Sequence, residues 1–277
     1  MKGAFQMAEL PEIIIFSRQM DEELKYKEFD SVDIVQEKIL NMGSSEFADL
    51  IQGKKVLNVY NKGKWIFMEL SDDYNLLLNL GMGTDLFYHS KGQEWPEDYQ
   101  IRFSFIDETG FSCRFWWIGR SELVSNKELI EHKATKDIAL SPLDSDFTLE
   151  HFKKLIKGRS QIKNLILNQR KIGGIGNVYI HDILFKAKIH PQKLANELED
   201  AQIENLYEIM ISNLSDALDK GGLYYEKDFY AKEWGFTRDY FLVAYNEEKP
   251  CPVCGTTIEK IKTGSTSSYI CPQCQQL

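Results

Sequence analysis

The C-terminal segment contains two short cysteine motifs, Cys-Pro-Val-Cys at residues 251–254 and Cys-Pro-Gln-Cys at residues 271–274. Each motif presents two thiolates from one tight turn, and two such turns complete a tetrahedral zinc site. Because all four ligands come from the protein, we predict one structural Zn²⁺, held by Cys251, Cys254, Cys271 and Cys274. The metal supplies folding free energy that so short a segment cannot gain from burial. A redox dithiol is the alternative, although it gives no reason for the duplicated spacing.

A glycine-rich turn, Gly-Gly-Ile-Gly at residues 173–176, lies among segments with helical patterning. Helices are predicted at 149–157, at 161–169 and from Asn177 to residue 186. The start of a helix offers free backbone N–H groups that suit a phosphate, and Asn177 adds a side-chain donor. The turn could equally serve only the packing of these helices.

The charged residues are segregated along the chain. The 277 residues carry a formal net charge of −9, which by itself argues against a polyanionic partner. Residues 151–193, however, carry a net charge of +9 between flanks of −11 and −7. We interpret this basic segment as an anion-binding strip that grips a DNA backbone. The alternative is that it forms the solvated faces of amphipathic helices.

The first 144 residues are predicted to be mainly β-structure after one helix at residues 12–25. The alternation of Ile101, Phe103 and Phe105 with polar residues is typical of a half-buried strand. Short runs of this kind predict strands at 56–60, 65–70, 75–80, 100–106 and 111–117. The pattern changes to helices near residue 144, and a long helix is predicted to begin at Asp200.

The composition excludes several classes of protein. With 43% hydrophobic and 12% aromatic residues, the chain is not wholly disordered, collagenous or fibrous. No apolar run approaches the ~20 residues that a membrane-spanning helix needs, and residues 1–6 lack the apolar core of a signal peptide. We therefore expect a cytoplasmic protein that does not associate with a membrane.

Several sequence features, taken in order, resemble the formamidopyrimidine-DNA glycosylase and endonuclease VIII family of base-excision-repair enzymes. They extend over nearly the full length of the chain, and their order and spacing are more specific than any one of them. They are Glu-Leu-Pro-Glu at 9–12, Lys64 in Lys-Gly-Lys-Trp at 62–65, Leu-Gly-Met-Gly at 80–83, Gly-Ile-Gly-Asn-Val-Tyr at 174–179, Ile-His-Pro at 189–191 and the terminal four-cysteine finger.

The resemblance implies an α+β fold in three parts. These are an N-terminal β-sandwich with a flanking helix at residues 1–144, a helix-two-turns-helix DNA-binding domain at 145–245 and a zinc finger at 246–277. The resemblance also implies the partner, which is double-stranded DNA that is damaged or carries an abasic site. We expect the protein to bind it as a monomer.

The resemblance further implies a DNA glycosylase that releases a damaged base and also acts as an AP lyase. In the family, an N-terminal amine attacks C1′ of the damaged nucleotide and holds the sugar as a Schiff base. Here that amine would belong to Ala8, and Glu9 would act as acid and base. Lys64 would bind phosphate and transfer protons.

The residues that contact DNA also follow from the resemblance. Met82 would fill the gap left when the damaged base leaves the stack, and Lys163 and Asn177 would hold the DNA backbone. Lesion specificity would lie in a loop within residues 222–240. This loop is rich in aromatic residues that could stack on a base or pack in the core: Tyr224, Tyr225, Phe229, Tyr230 and Trp234.

The chain departs from the family pattern in four places. The usual N-terminal proline is replaced by Ala8, which has a free amine only if translation starts at Met7 and that methionine is removed. An Arg-Arg-Phe wedge is missing from residues 116–120. The arginine expected in the finger falls at Thr266, and Asn-Glu-Glu at 246–248 replaces a normally basic approach to the finger.

Two other functions are compatible with the sequence. A catalytically impaired paralogue would keep the grip on damaged DNA but would have lost the nucleophile. A zinc-ribbon adaptor for protein partners suits the overall acidity of the chain. The adaptor leaves the basic segment and the turn at 174–177 unexplained, however.

Overall fold

The computed structural model describes residues 7–223, 227–233 and 235–277. The chain divides into two compact units. The first comprises residues 1–136 and 221–235, and the second comprises residues 137–220 and 236–277. The sequence predicts three parts, with boundaries after residues 144 and 245. This division does not follow the same boundaries as the two units and stays a prediction.

The first unit consists mainly of two four-stranded antiparallel sheets, whose strand orders are β1-β6-β7-β5 and β2-β3-β4-β8. Its elements are α1 (Leu10–Leu24), β1 (Phe29–Ile34), α2 (Ser44–Ile51), β2 (Val56–Lys62), β3 (Trp65–Leu70), β4 (Tyr74–Asn79), β5 (Met82–His89), β6 (Ile101–Phe105), β7 (Gly110–Trp117), β8 (Arg120–Ser125) and α3 (Asn126–Leu129). The five predicted strands correspond to β2, β3, β4, β6 and β7. Strands β1, β5 and β8 were not predicted from the sequence.

Both sheets contribute to one apolar core. In the first sheet, Phe29 of β1 and Phe111 of β7 lie on either side of Phe103 of β6, and the Phe103 and Phe111 rings stack with centroids 4.5 Å apart. Met68 and Leu76 of the second sheet belong to the same cluster. Residues of β6 are alternately buried and half-buried, which confirms the predicted period of two.

Helix α1 packs its apolar stripe into this core. It begins two residues earlier than predicted, with Pro11 in its first turn, where the missing N–H of proline costs no hydrogen bond. Phe16, Met20 and Leu24 recur at helical spacing and are buried. This packing fixes the chain immediately after Ala8 and Glu9.

The second unit is built from four α-helices and one hairpin within its described residues: α4 (Leu149–Leu155), α5 (Ile162–Ile166), α6 (Tyr179–Lys186), α7 (Asp200–Asp219), β9 (Glu259–Thr263) and β10 (Thr266–Ile270). The helices fall where the sequence predicts them, and α4 and α5 end earlier than expected. Thr148 caps α4 by accepting a hydrogen bond from the His151 N–H at 3.2 Å. In the described parts of the chain, no helix combines the length and apolar character needed to span a membrane.

His89, at the end of β5, is a buried histidine with a lowered pKa. The side chain is buried, packs against the Trp95 ring at 4.3 Å and shares a hydrogen bond of 2.8 Å between Nε2 and Ser112 Oγ. Burial, together with the positive charge of Arg102, lowers the pKa of His89 to about 4 from its ordinary value of 6.5. The folded protein therefore binds a proton here less tightly than the unfolded chain does.

We therefore expect His89 to favour folding fully above pH 6.5 and progressively less as the pH falls from 6.5 towards 4. The variant His89→Gln should lose less unfolding free energy over this interval than the wild type. Urea denaturation at pH 7.5, 6 and 5 measures this difference. Equal losses in both proteins would assign the acid sensitivity to other groups.

Candidate active site and nucleic-acid interface

The N-terminal end of α1 buries two carboxylates. The Glu9 N–H donates to Glu12 Oε2 at 2.9 Å, and the Leu223 N–H donates to Glu12 Oε1 at 3.1 Å. Ala8, Glu9 and Glu12 are each at most 4% exposed. Backbone donors hold both oxygens of Glu12, which makes it a structural acceptor. Glu9 is the acid directly adjacent to Ala8, and the helix N-terminus favours its negative charge.

Lys64 lies in the turn between β2 and β3 and reaches the same segment. Its Nζ donates to Met7 Sδ at 3.9 Å, so the ammonium lies against the residue that precedes Ala8. Burial lowers the pKa of Lys64 below its ordinary value of 10.5, although the negative charges of Glu9 and Glu12 act to raise it. The structure therefore brings together the three residues predicted for catalysis.

Met82 lies beside this cluster at the start of β5. It forms an isolated antiparallel bridge with Met7 and is paired with Trp117 of β7. Gly81 precedes it with a φ of 59°, and a Cβ at that position would overlap the Trp117 carbonyl. Glycine is therefore required for the turn that delivers Met82 to the N-terminal segment.

An exposed apolar tip lies at the end of β7, next to Met82. It consists of Trp116, Trp117 and Ile118, whose exposed fractions are 49%, 67% and 57%. The Arg114 guanidinium lies 4.2 Å from the centre of the Trp116 ring. This tip was not predicted from the sequence, in which residues 116–120 stand out only for the missing Arg-Arg-Phe wedge. The two adjacent tryptophans were the signal for this tip, which offers flat rings on which an unstacked base can lie.

Two of the aromatic residues predicted for lesion recognition have other contacts. Phe229 is fully buried and packs against the Tyr88 and Phe111 rings, so it belongs to the core. Tyr230 donates its hydroxyl to Glu23 Oε1 at 3.1 Å. The remaining three lie outside the described residues: Tyr224, Tyr225 and Trp234.

In the second unit, the buried side chain of Lys163 in α5 forms hydrogen bonds with the finger hairpin. Its Nζ donates to the Ser267 carbonyl and, at 2.9 Å, to Ser268 Oγ, both in β10. The side chain has no exposed surface. A direct contact with a DNA phosphate, as the resemblance implies, requires this buried side chain to become exposed. In this structure it positions the finger.

The glycine-rich turn before α6 is held by one glutamine. Gln169 Oε1 accepts the Gly174 N–H at 2.9 Å, and Gln169 Nε2 donates to the Ile175 carbonyl at 2.8 Å. Gly174 has a φ of 91°, which favours glycine. Asn177 follows the turn and is half-buried, and its Oδ1 has no hydrogen-bond partner within the described chain. The turn is thus held in place by hydrogen bonds, and the Asn177 Oδ1 atom after it can still accept one.

The basic segment keeps part of its charge available at the surface. Lys157, Arg159, Lys186 and Lys188 are exposed, and none of them forms an ion pair with the residues that the structure describes. Three other cations of the segment pair with carboxylates: Lys153, Lys154 and Arg170. Cations without a protein partner are suited to phosphate contacts.

Asp182 of α6 fixes the chain that leads to the finger. Its carboxylate accepts the N–H groups of Leu242, Val243 and Ala244 at 2.9 to 3.0 Å. Asp182 is 4% exposed, and burial raises its pKa against the opposing effect of these three donors. The single acid of the basic segment is therefore used internally, as an acceptor for backbone N–H groups.

The four predicted zinc ligands converge. The Sγ atoms of Cys251, Cys254, Cys271 and Cys274 lie within 4.8 Å of one another, and three of the separations are 3.4, 3.6 and 3.9 Å. Tetrahedral Zn²⁺ with Zn–S bonds of ~2.3 Å places its sulfur ligands about 3.8 Å apart. The Val253 and Cys274 N–H groups donate to Sγ of Cys251 and Cys271, as thiolate ligands require. The residues therefore fit one structural zinc ion with no open position.

Models of known families match three segments of the chain. Residues 7–116 match the formamidopyrimidine-DNA glycosylase N-terminal domain, and residues 138–227 match the formamidopyrimidine-DNA glycosylase H2TH domain. Residues 248–277 match the zinc finger found in formamidopyrimidine-DNA glycosylases and isoleucyl-tRNA synthetases. The third match confirms the predicted finger and its metal.

Curated relatives match the chain from end to end. The formamidopyrimidine-DNA glycosylase of Pelotomaculum thermopropionicum is 33% identical over 277 residues, which cover 98% of this chain and 100% of that protein. The enzyme of the same name from Pediococcus pentosaceus is 30% identical over 279 residues, covering 98% and 100%.

The fold is also similar to solved structures. A complex of the Lactococcus lactis glycosylase Fpg with DNA containing an abasic site superimposes with a TM-score of 0.87 at 25% identity. The match covers 98% of this chain and 100% of the other. It confirms the predicted fold class, a β-sandwich followed by a helix-two-turns-helix element and a four-cysteine finger. These matches show that the chain belongs to the formamidopyrimidine-DNA glycosylase family.

Proposed function

We propose that this protein is a base-excision-repair DNA glycosylase that cleaves the N-glycosidic bond of damaged bases in duplex DNA and then acts as an AP lyase. The observation that supports this best is the gathering of Glu9 and Lys64 beside Ala8 at the buried start of α1. The first unit thus holds an acid, Glu9, and a lysine, Lys64, beside Ala8, which stands where the family has its nucleophile.

The proposed nucleophile is the α-amine of Ala8 in a chain that starts at Met7 and has lost that methionine. An α-amine has a pKa near 7.7–8.0, so an appreciable fraction is unprotonated at neutral pH. Its attack forms an N–C1′ bond and breaks the bond from C1′ to the base, which leaves with a proton. Opening of the C1′–O4′ bond, with protonation of O4′, then gives the Schiff base.

Strand cleavage follows from the same intermediate. Removal of a proton from C2′ breaks the C3′–O3′ bond and releases the phosphate, and water then hydrolyses the Schiff base. Glu9 is the proposed carrier of these protons, since it is the carboxylate adjacent to Ala8. In this form of the chain, Lys64 provides the cation that binds phosphate.

The DNA contacts divide between the two units. In the first unit, we assign Met82 and the apolar tip at residues 116–118 to the gap left by the extruded base, because both present apolar surface at the same end of β5 and β7. In the second unit, Asn177 and the unpaired cations of the basic segment hold the backbone. Lys163 supports this indirectly through the finger. The proposed enzyme is a cytoplasmic monomer.

Trapping with borohydride tests the proposal. The protein is expressed from Met7, Ala8 is confirmed as the terminus by intact mass, and the protein is incubated with an abasic-site duplex and borohydride. We expect a covalent adduct, because reduction fixes the Schiff base, and none with an undamaged duplex of the same sequence. Binding to the abasic duplex without any adduct would instead establish the catalytically impaired paralogue.

A further inference from the structure

A surface cavity lies at the C-terminal end of β5 in the first unit. Its volume is about 610 Å³, and its lining residues include the aromatic Tyr88, Trp95 and Tyr230 and the acidic Glu23 and Glu94. None of the described residues that line it is a lysine or an arginine. The cavity therefore combines aromatic surface with negative charge.

Hydrogen bonds hold the walls of this cavity in place. Tyr230 donates its hydroxyl to Glu23 Oε1 at 3.1 Å, and its ring meets the Tyr88 ring edge-on, with centroids 6.4 Å apart. The Tyr88 N–H donates to the Phe229 carbonyl at 2.8 Å, which ties the segment that carries Tyr230 to β5. Because these walls are already ordered, a ligand that enters the cavity loses little affinity to the ordering of side chains.

His89 adds a hydrogen-bond acceptor to the lining. The residue is 3% exposed, and its Nδ1 has no hydrogen-bond partner among the described residues. When Nε2 carries the proton and donates to Ser112 Oγ, Nδ1 keeps a free lone pair. Most buried polar atoms in folded proteins have a partner, so this nitrogen favours a ligand that donates to it.

Beside the cavity, the protein holds one of its own guanidinium groups with the same combination of groups. The Arg102 guanidinium lies 5.1 Å from the centre of the Trp95 ring and forms an ion pair with Asp33 at 3.3 Å. An aromatic face and a carboxylate both stabilise a planar cation. The cavity offers rings and carboxylates in the same way.

Two lysines lie near the rings of the cavity without lining it. Lys27 Nζ is 5.8 Å from the centre of the Tyr88 ring, and it forms an ion pair with Asp107. Lys232 Nζ is 5.6 Å from the centre of the Tyr230 ring. The rings thus attract cations of the chain from outside, while the interior of the cavity keeps its negative charge.

The cavity is well separated from the proposed catalytic site. Strand β5 begins at Met82, which is bridged to Met7, and ends at His89. Residues of a strand rise ~3.4 Å each, so the cavity lies roughly 24 Å from the Met82 end of β5. A ligand in the cavity therefore does not compete with the damaged nucleotide.

We propose that this cavity binds an arginine side chain of a protein partner. The guanidinium group lies against the aromatic rings and donates to Glu23, Glu94 and His89 Nδ1. It is planar, carries five N–H donors and is more weakly hydrated than an ammonium, so it suits a cavity of rings and acceptors. A nucleic acid would bring phosphates, which the two carboxylates repel. This inference does not depend on the proposed function.

Titration with short peptides tests the inference. A blocked Gly-Arg-Gly tripeptide is added to the full chain, and the indole N–H signals of the five tryptophans are followed by NMR. The Trp95 signal, assigned by its loss in Trp95→Phe, should shift progressively as the peptide is added. The same tripeptide with citrulline has nearly the same shape without the charge. It should bind about tenfold more weakly, because it loses its attraction to rings and carboxylates.

A pair of double variants shows where the peptide binds. Glu23→Gln with Glu94→Gln should weaken binding of the arginine peptide about tenfold, and glutamine can still accept the Tyr230 hydroxyl. Glu22→Gln with Glu97→Gln is the matched control, because it removes the same charge from exposed residues that do not line the cavity. It should change the affinity less than about twofold. Equal thermal midpoints confirm that both variants are folded.

Four results would overturn the inference. They are no shift of the Trp95 signal with the arginine peptide, equal affinity for the arginine and citrulline peptides, equal weakening in both double variants, and a Trp95 shift with a single-stranded oligonucleotide but not with the peptide. The third would assign the attraction to the general negative charge of the first unit, and the fourth would identify a nucleic-acid site. The comparison of the two peptides uses the wild type and needs no variant.

Discussion

Replacing Cys274 with serine should reduce the zinc content from about one ion per chain to nearly none and unfold the β9–β10 hairpin. The finger has a small apolar core of its own, in which Cys251 and Cys271 pack against Val243 and Ile258. Without the metal, this core is too small to hold the hairpin. Metal analysis of the purified protein and proteolysis at the finger measure the two effects.

Cys113→Ala is the matched control for the loss of a thiol. Cys113 is buried in β7 of the first unit and is not one of the four clustered thiols, so this variant should keep its zinc. A Cys274→Ser protein that is free of metal and still has a protease-resistant finger would refute the structural role of zinc. In that case, the contacts of Lys163 and Asp182 would have to hold the segment in place.

Replacing Glu9 with glutamine should lower the single-turnover rate of base excision by about 10²–10⁴-fold. Glutamine has nearly the shape of glutamate but cannot accept or release the proton that the reaction moves. Glu9 is 1% exposed, so water cannot easily take over this task. Quenched-flow assays with excess enzyme on a lesion duplex measure the rate.

Glu22→Gln is the control on the same helix. Glu22 is an exposed residue of α1, and its loss should leave the excision rate unchanged. Binding of the abasic duplex should be retained in Glu9→Gln, because the change does not remove a cation. A Glu9→Gln enzyme that excises as fast as the wild type would place the proton transfer on another group.

Sequence patterns predicted the elements that depend on local chemistry. Strands β3 and β4 were predicted because each contains a short apolar run of consecutive buried residues, and α7 because its apolar residues recur at helical spacing. Strand β1 was missed because only Phe29 in it is fully buried. Strand β8 was missed because its pairing with β4 joins segments that are distant in the chain.

The residues of the proposed catalytic cluster were predicted from the family resemblance, but the contacts that surround them were not. The sequence gives no sign that Lys64 has a thioether as its hydrogen-bond partner, or that Glu12 is held by two backbone donors. The Glu9–Glu12 contact is local to the start of α1, but the Lys64–Met7 and Glu12–Leu223 contacts join segments that are far apart in the chain. The same holds for Lys163. The resemblance implies that it contacts the DNA backbone, and in the structure it is buried and donates to Ser268 of the finger hairpin.

The sequence by itself determined the zinc site, the succession of β-rich and helical segments, and the location of the basic segment. These features follow from spacing and composition within short stretches, where covalent geometry limits the possibilities. Only the tertiary structure decided that residues 221–235 join the first unit, that the tryptophans at 116 and 117 are exposed, and which lysine is paired. Burial and partners decide the charge of a side chain, and both are set by residues far away in the sequence.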